Sequence, residues 1–127
     1  MLIVEDTEER QAVLTQLYRS HAWVMVDTGA RAVTILNAYD FDIISLDFNL
    51  RGPLSGADVA RAIAQSRNAS TGVVIHSMNP NGASEISSIL PQAIQFPVRK
   101  MVRSNAAFKE LRERIDASGW RAFLGLA

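Results

Sequence analysis

Hydrophobic positions along the chain fall into two alternating kinds of run. Leu2 to Asp6, Ala22 to Val26, Ile43 to Leu46, Gly72 to Ser77 and Ile94 to Arg99 are short stretches, mostly apolar and rich in β-branched residues. They have the length and composition of buried strands. Between them apolar residues recur three or four positions apart: Val13, Leu14, Leu17 and Tyr18; Ala32, Val33, Leu36 and Tyr39; Val59, Ala60 and Ile63; Ile86, Ile89 and Leu90; Phe108, Leu111 and Ile115. That spacing puts one apolar stripe on each of five helices.

Polar punctuation supports the same division. Asp6-Thr7-Glu8-Glu9 places acids at a helix start, where the backbone dipole favours them. Thr28-Gly29 precedes the second helix, Ser55 can cap the third with Asp58 in its first turn, and Asn79-Pro80 opens a fourth that Pro91 ends. Pro97 lies inside the fifth strand candidate, which assigns that strand to a sheet edge, because proline donates no ladder hydrogen bond. Strict strand–helix alternation with short connections predicts an α/β fold. It is a single three-layer α/β/α domain with a five-stranded parallel sheet and five helices. The expected division is a domain over 1–118 and an apolar extension over 119–127.

Composition narrows the function classes. The 127 residues suit one domain, and 48% apolar content is ordinary for a globular chain. No apolar run approaches the ~20 residues needed to cross a bilayer, and no basic stretch precedes the first strand as in a signal peptide. Lys and Arg equal Asp and Glu at 13 each, so nothing in the bulk charge points to nucleic acid or an anionic membrane. Cysteine is absent, which excludes disulfides, thiolate catalysis and cysteine-held metal. A cytoplasmic protein is expected.

The chemistry gathers at strand ends. Leu2-Ile3-Val4 runs into Glu5-Asp6, and Ile43-Ile44-Ser45-Leu46 runs into Asp47. If these strands are neighbours in a parallel sheet, three carboxyl groups converge at its carboxyl edge, where open α/β sheets build their sites. Such a cluster suits a hard cation.

Glu5-Asp6, Asp47 with Asn49, and Ser77 closing the fourth strand together resemble the response-regulator receiver domain across nearly the whole chain. The resemblance implies the flavodoxin-like strand order 2-1-3-4-5 and phosphoryl transfer onto Asp47 from a phosphodonor protein, a histidine kinase or phosphotransferase. It implies a Mg2+ ion held by Asp6, Asp47 and the backbone carbonyl of Asn49, with Glu5 acting through water. Ser77 would donate to a phosphoryl oxygen and bias the following helix and strand, making the face around Ser84 to Arg99 an output surface for a downstream protein. The family also places a lysine at the end of strand five, commonly just before a proline. Phe96-Pro97 has the proline without the lysine, and Lys100 is the candidate.

The segment Ile75-His76-Ser77-Met78-Asn79-Pro80-Asn81-Gly82-Ala83, with Asp47-Phe48-Asn49-Leu50 and Ser55-Gly56, is similar to the receiver variants called cyclic-phosphate processing receiver domains. This resemblance implies a metal-dependent hydrolase of cyclic or nucleotide phosphates, with His76 as general acid or base and Ser77 orienting phosphate. Such variants often carry a second aspartate where this chain has Asn49, and a neutral amide there weakens a two-metal mechanism. His76 also reads as a histidine packed beside a strand and bonded to backbone. Side chains alternate across a strand, so His76 and Ser77 face opposite ways unless the strand has already ended.

Three functions follow: a stand-alone phosphoacceptor module, a cyclic-phosphate enzyme, and a receiver-like interaction module without phosphorylation. In the tail, Trp120, Phe123 and Leu124 recur at helical spacing, with Leu126 beyond. They predict either a homodimer interface or a segment folded back onto the domain.

Overall fold

The computed structural model describes residues 1–125 of the chain. Its strands are β1 (Leu2–Val4), β2 (Val24–Val26), β3 (Ile43–Leu46), β4 (Gly72–Ile75) and β5 (Ile94–Gln95), all parallel and in the order β2-β1-β3-β4-β5. The described residues form helices α1 (Glu8–Leu17), α2 (Gly29–Ala38), α3 (Gly56–Ala64), α4 (Pro80–Ile89), α5 (Val98–Met101) and α6 (Asn105–Ser118), then a 3-10 turn over Gly119–Phe123. Topology and class match the expectation, but there are six helices where five were expected. The extra one replaces the second half of the predicted fifth strand. β5 stops at Gln95, and Pro97 caps the single turn of α5 with φ −61°. A fixed φ near that value suits a helix entrance, and the missing N–H cannot extend a ladder.

Consecutive strand residues feed opposite helical layers. Ile3, Ile43 and Val74 pack with Leu14, Leu17 and Tyr18 of the α1 segment, with Leu111 and Ile115 of α6, and with Phe96 and Phe123. Leu2, Val4, Ile44, Leu46, Val73 and Ile75 pack with Ala32 and Leu36 of α2, Val59, Ala60 and Ile63 of α3, and Ala83 and Ile86 of α4. The sheet therefore has no wet face, which explains why its strands read as unbroken apolar runs rather than alternating ones.

The caps expected at Ser55 and Asn79 form, and Thr28 adds another. The Ser55 hydroxyl accepts from Asp58 N–H while the Asp58 carboxylate accepts from Ser55 N–H at 2.8 Å, a reciprocal capping box on α3. Asn79 Oδ1 accepts from Gly82 N–H at 3.0 Å with Pro80 in the first turn of α4, and Thr28 Oγ1 accepts from Arg31 N–H at the start of α2. Buried Asn68 ties two loops together. Its amide donates to the carbonyls of Leu36 and Tyr39, and its oxygen accepts from Phe41 N–H.

The tail folds back onto the domain. Phe123 is fully buried against Tyr18 and Phe96, Trp120 is half-buried beside the core, and Leu124 stays exposed. A methyl group on Gly72, the first residue of β4, would press into the Trp120 indole at 2.9 Å, so the missing side chain is what admits the ring. Leu126 lies outside the described residues. Among those residues no helix is long and apolar enough to cross a membrane.

Candidate functional site

Sheet register places the site. Val4 and Leu46 are partners, and Leu46 and Ile75 are partners, so the next residue on each chain, Glu5, Asp47 and His76, stands in one row at the carboxyl edge. The ladder runs one step further to hold that row: Glu5, Asp47 and His76 donate their N–H groups to Val26, Val4 and Leu46 carbonyls at 3.0, 3.1 and 3.1 Å. Because the chain leaves β1 toward β2 and then returns past it to β3, the crevice above β1 and β3 is the switch point of the topology. One atom from each of Glu5, Asp47 and His76 lies within 4.8 Å of the others.

β4 ends at Ile75, yet His76 continues its alternation and points to the α1 side. The imidazole is fully buried and bonded at both nitrogens, to Ser45 Oγ at 2.8 Å through Nδ1 and to Glu5 Oε1 at 2.9 Å through Nε2. Ser45 Oγ also meets the Tyr18 hydroxyl at 3.2 Å. Burial pushes the Tyr18 phenol above its ordinary value, with the Ser45 bond acting weakly against it. The Tyr18 hydroxyl, Ser45 Oγ and the two imidazole nitrogens thus form one continuous hydrogen-bonded chain that ends on Glu5, where Nε2–H donates to the ionised carboxylate. All polar atoms in this interior chain are satisfied, as buried polar groups require.

Glu5 is saturated. Oε1 accepts from His76 Nε2 and from Arg10 Nε at 3.0 Å, and Oε2 accepts from Thr7 N–H at 3.0 Å and the Thr7 hydroxyl at 2.8 Å. Thr7 thus spends its hydroxyl on Glu5 and makes no side-chain cap on α1. Burial opposes ionisation of Glu5, but the bonds from His76 and Thr7 outweigh it and hold the pKa down to about 2. Asp47 moves the other way: burial and the neighbouring Glu5 charge raise it, although His76, Phe48 N–H at 2.8 Å and Arg10 favour its charged form. Arg10 Nη2 lies 3.4 Å from Asp47 Oδ2, so one guanidinium spans both acids. Burial works against the Arg10 charge, but Glu5, Asp47 and Asp6 together raise its pKa.

The remaining expected residues are distributed around this row. Asp6 is half-buried and stands outside the Glu5–Asp47–His76 trio, while Asn49 is exposed two residues past Asp47. Ser77 faces away from His76 and lines a cavity of about 100 Å³ with Met78, Pro80, Ala83, Gln95 and Pro97. Its oxygen accepts from Asn79 N–H at 3.1 Å, leaving the hydroxyl proton to donate elsewhere. Lys100 lies on α5 with its ammonium 5.2 Å from the Phe96 ring centre, above a cavity of about 230 Å³ shared with Arg103, Glu110 and Arg114. Arg10, Ser45, Tyr18 and Thr7 were not singled out by sequence reasoning. Only Ser45, a lone hydroxyl inside an otherwise apolar strand, carries a readable signal.

The family model for the cyclic-phosphate processing receiver domain matches residues 1–92. No curated protein matches the chain. Similar solved structures include the phosphorylated cyanobacterial phytochrome response regulator RcpA, at 20% identity and TM-score 0.69, covering 99% of this chain and 94% of that one. The response regulator TrrA from Thermotoga maritima, in complex with Mg2+ and BeF, is similar at 17% identity and TM-score 0.65, covering 87% and 96%. The receiver domain of the sensor histidine kinase PA1611 from Pseudomonas aeruginosa PAO1, with magnesium in its active-site cleft, gives 22% identity and TM-score 0.63, covering 92% and 96%.

Proposed function

The chain belongs to the cyclic-phosphate processing receiver domain family, and from that premise we propose that it is a signalling module that accepts a phosphoryl group on Asp47. The observation that carries this reading is the placement of Asp47 at the topological switch point, beside a second acid that is already ionised and fixed. A carboxylate oxygen of Asp47 attacks phosphorus, an O–P bond forms, and the donor's bond to phosphorus breaks with its electron pair leaving on the donor. When the donor is a phosphohistidine, that pair returns to the imidazole nitrogen. Ser77 donates its free hydroxyl proton to a phosphoryl oxygen and thereby couples the adduct to α4 and β5.

Oxygen donors of this kind suit Mg2+. Asp6, Asp47 and the Asn49 carbonyl would hold it, and Glu5 would act only through water, because its four acceptor positions already serve His76, Arg10 and Thr7. The bound ion supplies positive charge that offsets repulsion between the acids and an incoming phosphoryl dianion. Phosphodonor and output proteins are partners of the same reading.

Hydrolysis of a cyclic phosphate with His76 as proton donor is the less favoured reading. The ring is fully buried, and both nitrogens are engaged inside the protein, so it has no face toward a bound ester. Incubation with Mg2+ and acetyl phosphate, followed by intact-mass measurement, tests the proposal. Wild type gains one phosphoryl group and Asp47→Ala gains none; an unmodified wild type after rapid quenching sinks the proposal. Cyclic-nucleotide turnover that Asp47→Ala abolishes would transfer the site to the enzymatic reading.

A further inference from the structure

We infer that Arg10 is the cation that binds the phosphoryl group at Asp47. The inference rests on the Asp47 reading above and adds a residue to it. A phosphoryl dianion placed next to Glu5 and Asp6 needs a fixed positive partner, and the guanidinium of Arg10 is the side chain that already touches Asp47 Oδ2. Lys100 is engaged over Phe96, on the cavity shared with Arg103 and Arg114 of the α5–α6 side. Arg99 lines the cavity beside Ser77.

Arg10 is also held in a way that suits phosphate. Nε is anchored on Glu5 Oε1 at 3.0 Å, and Glu5 is in turn locked by Thr7 and His76, so the plane of the guanidinium is set by a buried framework. Of its five N–H donors, one serves Glu5 and one Asp47. The side chain is 32% exposed while Asp47 is 2% exposed, so Arg10 reaches solvent beside a buried acid. A planar fork binds phosphate oxygens in pairs, which a lysine ammonium does not. Its position is costly for the helix, since a cation in the first turn of α1 opposes the dipole. Placement at Glu5 and Asp47 gives it a reason to be there.

On attack, the Asp47 oxygen becomes part of an acyl phosphate and the negative charge moves outward onto the phosphoryl oxygens. Arg10 keeps its Nε bond to Glu5 and turns its terminal nitrogens from Oδ2 to those oxygens, with no proton transferred. The test follows the rate of phosphoryl labelling by acetyl phosphate with saturating Mg2+ in wild type, Arg10→Ala, Arg10→Gln, Arg10→Lys and Lys100→Ala, each shown to be folded by circular dichroism. Arg10→Gln keeps a donor to Glu5 and guards against a variant that merely unfolds. The expected result is a loss on the order of 100-fold for Ala and Gln, partial recovery in Lys, and an Arg10→Ala loss well beyond that of Lys100→Ala. Folded Arg10→Gln that labels at the wild-type rate, or a defect found in Lys100→Ala instead, overturns the inference alone. A wild type that takes no phosphoryl group overturns the Asp47 reading and this one with it.

Discussion

Removing the Asp47 charge should stabilise the protein when no metal is present. Burial and Glu5 raise the pKa of Asp47, so its folded form holds a proton more tightly than its unfolded form, and the stability it contributes is lost as pH rises through its folded value. Asp47→Asn is therefore expected to melt a few degrees higher than wild type at pH 7 in EDTA, a shift worth roughly 1 kcal/mol in a domain of this size. The gap should narrow as pH falls through the raised folded pKa of Asp47, where wild type takes up the proton. Glu5 has the opposite sign: lowered from 4.5 to about 2, its contribution is present above pH 4.5 and fades as pH falls toward 2. Glu5→Gln should thus lose stability at neutral pH and show a weaker acid limb in a pH series of melts. The acids of this site were legible as carboxylates ending apolar strands. Arg10 was not, because a basic residue among Glu8, Glu9 and Gln11 reads as a solvated helix face, and its partner lies 37 positions away. The burial of His76 was equally hidden, since it depends on Ser45 and Tyr18 meeting it from other elements.

At the level of elements, loops rather than helices fix the row of acids. Gly56 opens α3 against the backbone of Asp47, where an added methyl would overlap the Asp47 carbonyl oxygen, and its N–H donates to Phe48 O at 2.7 Å. Gly56→Ala should cost about 1–3 kcal/mol, as overpacking does, and should also slow labelling of Asp47 because its backbone must shift. Urea melts and the labelling assay separate the two effects. Asn68→Ala, which frees two backbone carbonyls and an N–H, should cost about 1–3 kcal/mol without changing the labelling rate of the folded protein. The caps at Ser55 and Asn79 were readable because capping is local chemistry. The end of β5 was not: the apolar run Ile94 to Val98 fits a strand, but Pro97 turns it into α5 after two paired residues.

For the whole molecule, the end of the described chain belongs to the core. Phe123 has no exposed surface and meets Tyr18 and Phe96 with ring centres 6.4 and 5.0 Å apart. A chain cut after Ser118 should lose about 3–5 kcal/mol, the scale of emptying a phenylalanine site, rather than only change its association state. Denaturant melts of the truncated and full chains decide this, and equal midpoints would refute it. Helical spacing announced these aromatics, but periodicity does not say whether an apolar face meets another copy or its own domain. The same tail supplies an optical handle. Trp120 lies on Gly72 at the start of β4, and His76 and Ser77 follow the other end of that four-residue strand. Any displacement of β4 on filling the site presses on or relieves the indole, so its fluorescence, separated from that of the exposed Trp23 by a Trp23→Phe background, would report events at the acids from the opposite end of the sheet.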